Sequence, residues 1–493
     1  MPLWIAVHLP LLQLEAFRPN WLAEEAAVVF EHDRVSAISA PARADGVRDG
    51  MRRGGAQLLS PAAHWHERDP LREAALLGEA ALALLQYTPQ VTLAEEDCVL
   101  LEVGASLRLF GGIRALCRKV RVTIARLGLS ATLSCAVSAA GAWLLARSGY
   151  VRTLRPASMR RRLERLPVAL LPPARPHLEW LHGLGVRRLG ELRRLPRAGL
   201  QRRCGKAVLE MMDRAYGEAA ELHRWVEAPP AFHARIELPD RIDHADILGA
   251  YAQRLLAQLA GWLGARQLAV KQLRLSLEHE RGRQAAPPTE LTLALSVAAW
   301  QEEHLHALVK EKLARCALPA PAIALSLAAD ELDAMQAGSG LLFPEPGGSA
   351  EDHHRLIELL VARLGPEQVL QAAPQADHRP EVANRWCGVM QDAAALPSPL
   401  PGDAARLPPR PLWLLDAPQP LRLHRHKPFH RTPLEFASPP ERIETGWWEG
   451  RPVTRDYFCA HDAQYVYYWI FRQWIGGEQP DQEPQWFLHG LFG

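Results

Sequence analysis

The 493-residue chain has few cysteines, seven in all, and none of them forms a Cys-x-x-Cys pair. Scattered at positions 98, 117, 135, 204, 316, 387 and 459, they offer neither a disulfide framework nor the paired ligands of a zinc ribbon, and a reducing compartment fits. Long apolar runs are also missing. None approaches the roughly 18–20 residues needed to cross a bilayer, and the N-terminal run of about five residues lacks the basic flank of a signal peptide. A soluble cytoplasmic protein without a membrane partner is expected. Net charge is low as well, at +2. What the chain does have is 48% hydrophobic and 23% charged residues, the balance of a globular protein with real cores. Its length suggests about three to five domains.

The small net charge hides an uneven distribution. From Arg152 to Lys206 there are 15 Lys/Arg against three acids (Glu164, Glu179, Glu191), which leaves 42 basic against 52 acidic residues elsewhere. A concentrated basic block in a near-neutral protein is the footprint of a polyanion contact, although arginines solvating helix faces would give the same count.

Along the chain, residues 1–150 read as α/β. Strands at Leu3–Val7, Ala26–Phe30, Val35–Ala40, Val99–Val103 and Thr132–Val137 alternate with helices at Leu71–Leu85 and Ala115–Leu127. Two helix-period segments follow, Leu178–Leu195 and Leu200–Tyr216. From Phe232 to Asp330 the order is strand, helix, strand, strand, helix, strand, the split βαβ or ferredoxin-like pattern. Eight prolines between 396 and 420 predict a linker. The end of the chain is rich in β-formers and aromatics, with six of the fifteen tryptophans beyond residue 410.

Three segments carry a family resemblance. Ala42-Arg43-Ala44-Asp45-Gly46-Val47-Arg48-Asp49-Gly50-Met51 resembles the E-A-R-x-x-G-V-x-x-G-M segment of Y-family (translesion) DNA polymerases, and Leu101-Glu102-Val103-Gly104-Ala105-Ser106-Leu107-Arg108-Leu109-Phe110-Gly111 resembles their L-D-V-T-G-S-x-x-L-F-G. The aromatic-rich ending, Trp447-Trp448 through Arg455-Asp456-Tyr457-Phe458 to Trp486-Phe487-Leu488-His489-Gly490-Leu491-Phe492, is similar to the UmuC-like branch found in damage-induced mutagenesis cassettes. The resemblance implies an α/β and α+β multidomain fold. Palm and fingers would span 1–165, a helix-hairpin-helix thumb 166–228 and a ferredoxin-like little finger 229–335. A linker with a clamp-binding motif would span 336–438, and a β-rich docking region 439–493.

The chemistry of that family is not matched. Two Mg²⁺ ions are held there by an Asp at the end of the first strand and an Asp-Glu pair on a neighbouring strand. Registered on this chain, those positions hold His8, with Pro10 where a second Asp would stand, and Asp97-Cys98. A histidine and a thiol are poor Mg²⁺ ligands. No cofactor is expected, Mg²⁺ entering only if an active low-fidelity polymerase is rebuilt from Asp97 and the adjacent Glu95 and Glu96. A zinc site or a Cys-His pair at His8, Asp97 and Cys98 lacks a visible fourth ligand. The family's triphosphate clamp, Tyr, Arg and Lys, falls on Ala40, Arg43 and about Gly141, so only Arg43 remains.

Three further contacts are expected. In the hairpin Leu181–Leu192, Gly183 and Gly185 would let the backbone approach a phosphate, with Arg187, Arg188, Arg193 and Arg194 beside it; a plain helical turn capped by Gly185 is the alternative. Leu341-Leu342-Phe343, in a Gly/Ser/Pro stretch, resembles the linear peptides that sliding clamps bind. Trp447, Trp448, Tyr457, Phe458, Trp486 and Phe487 would dock protein partners. The partners the resemblance implies are DNA, the replication sliding clamp, a RecA-like accessory protein and an error-prone C-family polymerase, with the chain as a non-catalytic hub near the nucleoid. His424, His426 and His430, interleaved with Arg422, Arg425, Lys427 and Arg431, read as a basic surface stretch rather than a metal site.

Overall fold

The computed structural model describes residues 2–95, 97–149, 151–280, 286–336, 350–375, 377–389, 409–447, 452–473 and 485–492. The chain divides into two compact units, Met1–Arg363 and Leu364–Gly493. The first is mixed α/β. Its five-stranded sheet is built from β1 (Trp4–His8), β2 (Val91–Ala94), β3 (Cys98–Glu102), β4 (Thr132–Ala136) and β5 (Val151–Arg152), in the order β2-β3-β1-β4-β5. Strand alternation divides β1 between two cores. Ile5 and Val7 join Val99, Leu101 and helices α1 (Pro70–Leu84) and α2 (Ile113–Arg126), whereas Trp4 and Ala6 join Cys98, Leu100 and helix α3 (Ala139–Arg147). Strands Ala27–Glu31, Arg34–Ile38 and His64–Glu67 form a separate three-stranded sheet.

The basic block folds as short helices: α4 (Leu178–Gly183), α5 (Leu189–Arg194), α6 (Arg197–Cys204) and α7 (Lys206–Ala215). Each longer segment expected from the sequence is cut in two by a left-handed glycine, Gly185 at φ 79° and Gly205 at φ 82°. Leu181, Leu189, Leu192, Leu200, Val208 and Met212 seal these helices onto the α3 side of the sheet.

A second sheet follows from β6 (His233–Ile242), helix α8 (Gly249–Arg266), β7 (Leu268–His279), β8 (Thr289–Ala299), helix α9 (Glu302–Ala314) and β9 (Ala322–Ala334). The element order is the one the sequence predicts; the ferredoxin-like arrangement is not. In that arrangement the third strand lies between the first and second. Here the antiparallel order is β8-β7-β9-β6, and the fourth strand takes the place between them. Helix α10 (Ala350–Leu364) joins this sheet from within the stretch expected to be linker. Its buried Glu358 accepts hydrogen bonds from Ser296 N (2.8 Å) and Ser296 Oγ (2.6 Å) and lies 2.7 Å from His304 Nε2.

Helix α8 clamps this second sheet to the first. At its closest approach to α1, a Cβ on Gly261 would stand 2.0 Å from the Leu82 carbonyl oxygen and 2.6 Å from Ala83 Cα. Ion pairs run across the same junction: Arg254–Glu79 (2.9 Å), Arg72–Glu237 (3.1 Å), Arg18–Asp240 (3.2 Å) and Arg126–Glu302 (2.9 Å).

In the second unit the β-rich region begins at Trp413, well before Pro439. After a hairpin of Leu370–Pro374 and Asn384–Gly388 come β10 (Trp413–His424), β11 (Lys427–His430), β12 (Thr432–Pro433), β13 (Glu435–Phe436), β14 (Glu441–Thr445), β15 (Val453–His461), β16 (Tyr467–Gln473) and β17 (Gln485–Leu491). The sheet order is β12-β11-β10-β17-β16-β15-β13, with β14 also on β15. Its two ends, β12 and β13, are joined by Leu434 alone, so the sheet curls around that fully buried residue. Prolines give the first strand the look of a linker. The β10–β17 ladder slips between Leu414 and Gln419, a bulge that accommodates Pro418.

Replacing Gly261 with Val should lower stability by about 1–3 kcal/mol, because the side chain meets backbone that cannot swing away. A urea titration would measure this, with Gly264→Ala, whose Cβ would lie 3.1 Å from Gln86 Cα, as the milder comparison. An unchanged midpoint for Gly261→Val would mean that α1 and α8 pack more loosely than the structure shows.

Candidate functional site

The end of β1 brings together the residues registered on the polymerase ligands. His8 lies opposite Cys98 on β3 and opposite Thr132 on β4. Its Nδ1 is 3.1 Å from Thr132 Oγ1. Asp97 occupies the turn between β2 and β3 at φ 59°, a left-handed conformation that Asp tolerates better than most residues. Its carbonyl accepts a hydrogen bond from Leu9 N (2.9 Å), which ties the turn to the exit of β1. Pro10 lies exposed just beyond.

Cys98 is completely buried, and desolvation pushes its thiol far above the usual range; a backbone hydrogen bond from Val7 and the charge of Arg147 act in the opposite direction. The thiol is therefore protonated and inward-facing. Among the described residues no group of three or more His, Cys, Asp or Glu is placed to hold a metal ion. One carboxylate, an imidazole beside a threonine hydroxyl and a buried thiol do not fit the hard oxygen set that a pair of Mg²⁺ ions requires. Glu95 is exposed and uses its carbonyl to accept from Trp143 Nε1 (2.8 Å), while Glu96 lies outside the described residues.

Arg43 is exposed on the short helix Ala40–Ala44, 3.8 Å from Asp49. At Gly141 any side chain is excluded, since a Cβ would fall 2.5 Å from Ser138 Oγ and 2.7 Å from the Ala215 carbonyl. Among the described residues a cation near this end of the sheet is Arg147, whose guanidinium lies over the Trp143 ring at 5.0 Å and favours the charged form of Cys98 against the larger effect of burial. Sequence reasoning missed it. The signal was the i, i+4 spacing of Trp143 and Arg147 on one helix face.

The helical hairpin of α4 and α5 matches the expected geometry in part. Gly185 takes the left-handed turn, whereas Gly183 is the last residue of α4 and a side chain there would meet nothing within 4 Å. Glu191 accepts from Arg187 N (2.7 Å) and Arg188 N (3.0 Å), fixing the turn. Arg187, Arg188 and Arg194 are exposed and form no ion pair among the described residues. Arg193 is set differently: it pairs with Glu218 and lies 4.2 Å over the Tyr216 ring, so it braces the fold.

In the second unit most of the expected docking aromatics are core. Tyr457 is stacked on Trp469 (4.1 Å), Trp486 is buried, Phe458 packs against Trp486 (5.4 Å), and Phe487 stacks on Phe471 (5.1 Å). A small sheet needs these rings for its own interior. Trp447 is 74% exposed; Trp448 and Leu341-Leu342-Phe343 lie outside the described residues.

Residues 11–147 match the family model described as the impB/mucB/samB family. Over 481 residues, 91% of this chain and the whole of the relative, the sequence is 27% identical to Protein ImuB of Caulobacter vibrioides, in each of two strains. The similarity to ImuB thus extends over nearly the whole chain. Among solved structures, the insertion ternary complex of Dbh DNA polymerase is similar over 66% of this chain and 98% of its own, at 16% identity and a TM-score of 0.37. A Y-family polymerase chimera, Dbh-Dpo4(243-245)-Dbh, gives the same figures. No helix among the described residues is long and apolar enough to span a membrane.

If the α4–α5 hairpin grips phosphates, DNA binding will be independent of sequence and steeply salt-dependent. Replacing Arg187 and Arg188 together with Ala should lower the log–log salt slope by roughly 0.7–0.9 for each phosphate that these arginines neutralise. A slope and affinity equal to wild type in an anisotropy titration would place the grip elsewhere.

Proposed function

We propose that this ImuB homologue is a non-catalytic relative of Y-family polymerases that serves as a DNA- and sliding-clamp-binding hub in error-prone translesion synthesis and DNA damage-induced mutagenesis. The observation that carries the reading is the strand end itself, where His8, Asp97 and the buried, protonated Cys98 stand in place of a carboxylate cluster. Two divalent ions brought together there would face mutual repulsion with one carboxylate to offset it. The first unit would then keep the palm, fingers, thumb and little finger as a DNA-holding frame. Synthesis would fall to a C-family polymerase recruited with a RecA-like accessory protein, and Trp447 is an exposed anchor for such a partner.

Purified protein with Mg²⁺ or Mn²⁺ should not extend a primer. Template-dependent incorporation that disappears in Asp97→Ala would establish the competing reading, an active low-fidelity polymerase.

Clamp binding is proposed from Leu341, Leu342 and Phe343 on sequence grounds. Two buried apolar anchors contribute about 1.5–3 kcal/mol each, so Leu342→Ala with Phe343→Ala should weaken clamp binding by on the order of 100-fold or more. Calorimetric titration showing undiminished affinity would move the motif to another segment.

A further inference from the structure

The basic stretch Arg422–Arg431 lies apart in sequence from the strand-end residues and from the α4–α5 hairpin, and the fold gives it a definite shape. Strands β10 and β11 form a two-stranded ribbon, with His424 opposite Lys427 and Arg422 opposite Phe429. Its turn is Arg425-His426, at φ 55° and 63°. Two successive left-handed residues match the twist of the flanking strands and make a tight, well-defined tip. Arg422, His424, Arg425, His426, Lys427 and Arg431 are all exposed. Between 422 and 436 the sequence has one acid, Glu435, which lies 3.8 Å from Lys427. Arg422, Arg425 and Arg431 form no ion pair among the described residues. Four fixed positive charges on a rigid ribbon, with little to neutralise them, call for a polyanion.

Aromatic rings lie beside this charge. The turn between β15 and β16 abuts the base of the ribbon, the end away from the Arg425-His426 tip: Ala463 N reaches Thr432 Oγ1 at 3.5 Å, Glu435 lies opposite His461 in the β13–β15 ladder, and His430 packs edge-on to Tyr468 at 5.2 Å. Buried Asp462 holds the turn by accepting from Gln464 N (2.8 Å) and Val466 N (3.0 Å). Tyr465 is thereby presented at 72% exposure, stacked on His461 at 5.0 Å with 19° between the planes, and Tyr467, 41% exposed, lies 5.7 Å from the same His461 ring. A protein core would not leave such rings in water. A cationic track next to exposed, stackable rings is the chemistry that grips single strands, whose unpaired bases can lie on aromatic faces; a duplex keeps those faces covered.

We propose that the β10–β11 ribbon and the Tyr465–Tyr467 edge form a binding site for single-stranded nucleic acid in the second unit, separate from the arginines of α4 and α5. Phosphates lie along Arg422, Arg425, Lys427 and Arg431, and bases stack on Tyr465 and Tyr467.

The test uses the full chain and a labelled oligo-dT of about 20 nucleotides, long enough to fill a site of this kind. Two variants are compared with wild type and with the Arg187/Arg188 variant: a ribbon variant with all four cations changed to Ala, and Tyr465→Ala with Tyr467→Ala. These residues are exposed, and an unchanged circular dichroism melt verifies folding. The ribbon variant should lose at least tenfold in single-strand affinity at low salt, its slope falling by about 0.7 for each phosphate it no longer neutralises. The tyrosine variant should weaken oligo-dT binding with the slope unchanged, and leave binding to a duplex of the same length as it was. Wild-type affinity and slope in both variants would overturn the proposal, as would loss of an acidic protein partner without loss of oligo-dT. Equal loss of duplex and single-strand binding in the ribbon variant, with no effect of the tyrosines, would overturn it in favour of a duplex contact. Because oligo-dT binding is read without primer extension or clamp, a failure here is distinct from a failure of the hub reading.

Discussion

Burial of strand Trp4–His8 on both faces is the constraint from which the candidate site follows. Ile5, Ala6 and Val7 are fully inaccessible, with alternate side chains entering separate cores, so a slip of one residue would move each side chain into the wrong core. The register is thus fixed by apolar packing and needs no metal. Once fixed, it sets His8 between Cys98 and Thr132. The strand arrangement at this end of the sheet therefore holds without a metal or a carboxylate cluster, because the apolar residues that hold the strands together lie before position 8.

The same logic explains what was legible in the sequence. Alternation in Leu273-Arg274-Leu275-Ser276-Leu277 and the helix-period spacing of Leu305, Leu308 and Val309 are local signals, and the elements lie where those signals place them. The order of strands in the second sheet is not local. Whether the third or the fourth strand enters between the first two depends on which edges meet, and the same string of elements allows both. The first strand of the C-terminal sheet is hidden for another reason. Pro411, Pro418 and Pro420 suggest a tether, yet at a bulge a proline costs a strand little, so proline count misjudges Trp413–His424. Aromatic density is likewise ambiguous: Tyr457 and Trp486 are core, whereas Tyr465 is surface, and the sequence does not distinguish them.

Charge divides more sharply in the structure than in the composition. On the second sheet Arg235 is bound to Glu278 at 2.8 Å and Arg274 to Asp330 at 2.9 Å. A phosphate approaching these arginines must compete with a carboxylate already in place, and the exchange of one anion for another yields little. Arg187, Arg188 and Arg194 face no such competition among the described residues. The pairing pattern, rather than the number of arginines, therefore directs the expected DNA grip to the α4–α5 hairpin.

That distinction also bears on why a basic stretch rich in histidine need not be a metal site. His424 and His426 flank the ribbon tip with Arg425 between them and Lys427 adjacent, so any cation drawn to the imidazoles would approach fixed positive charge at short range. Anions meet the opposite field. The surrounding charge thus decides which ligand class a set of side chains can hold, here and at His8, where the imidazole lies beside a hydroxyl and a buried thiol instead of the carboxylates that would draw Mg²⁺.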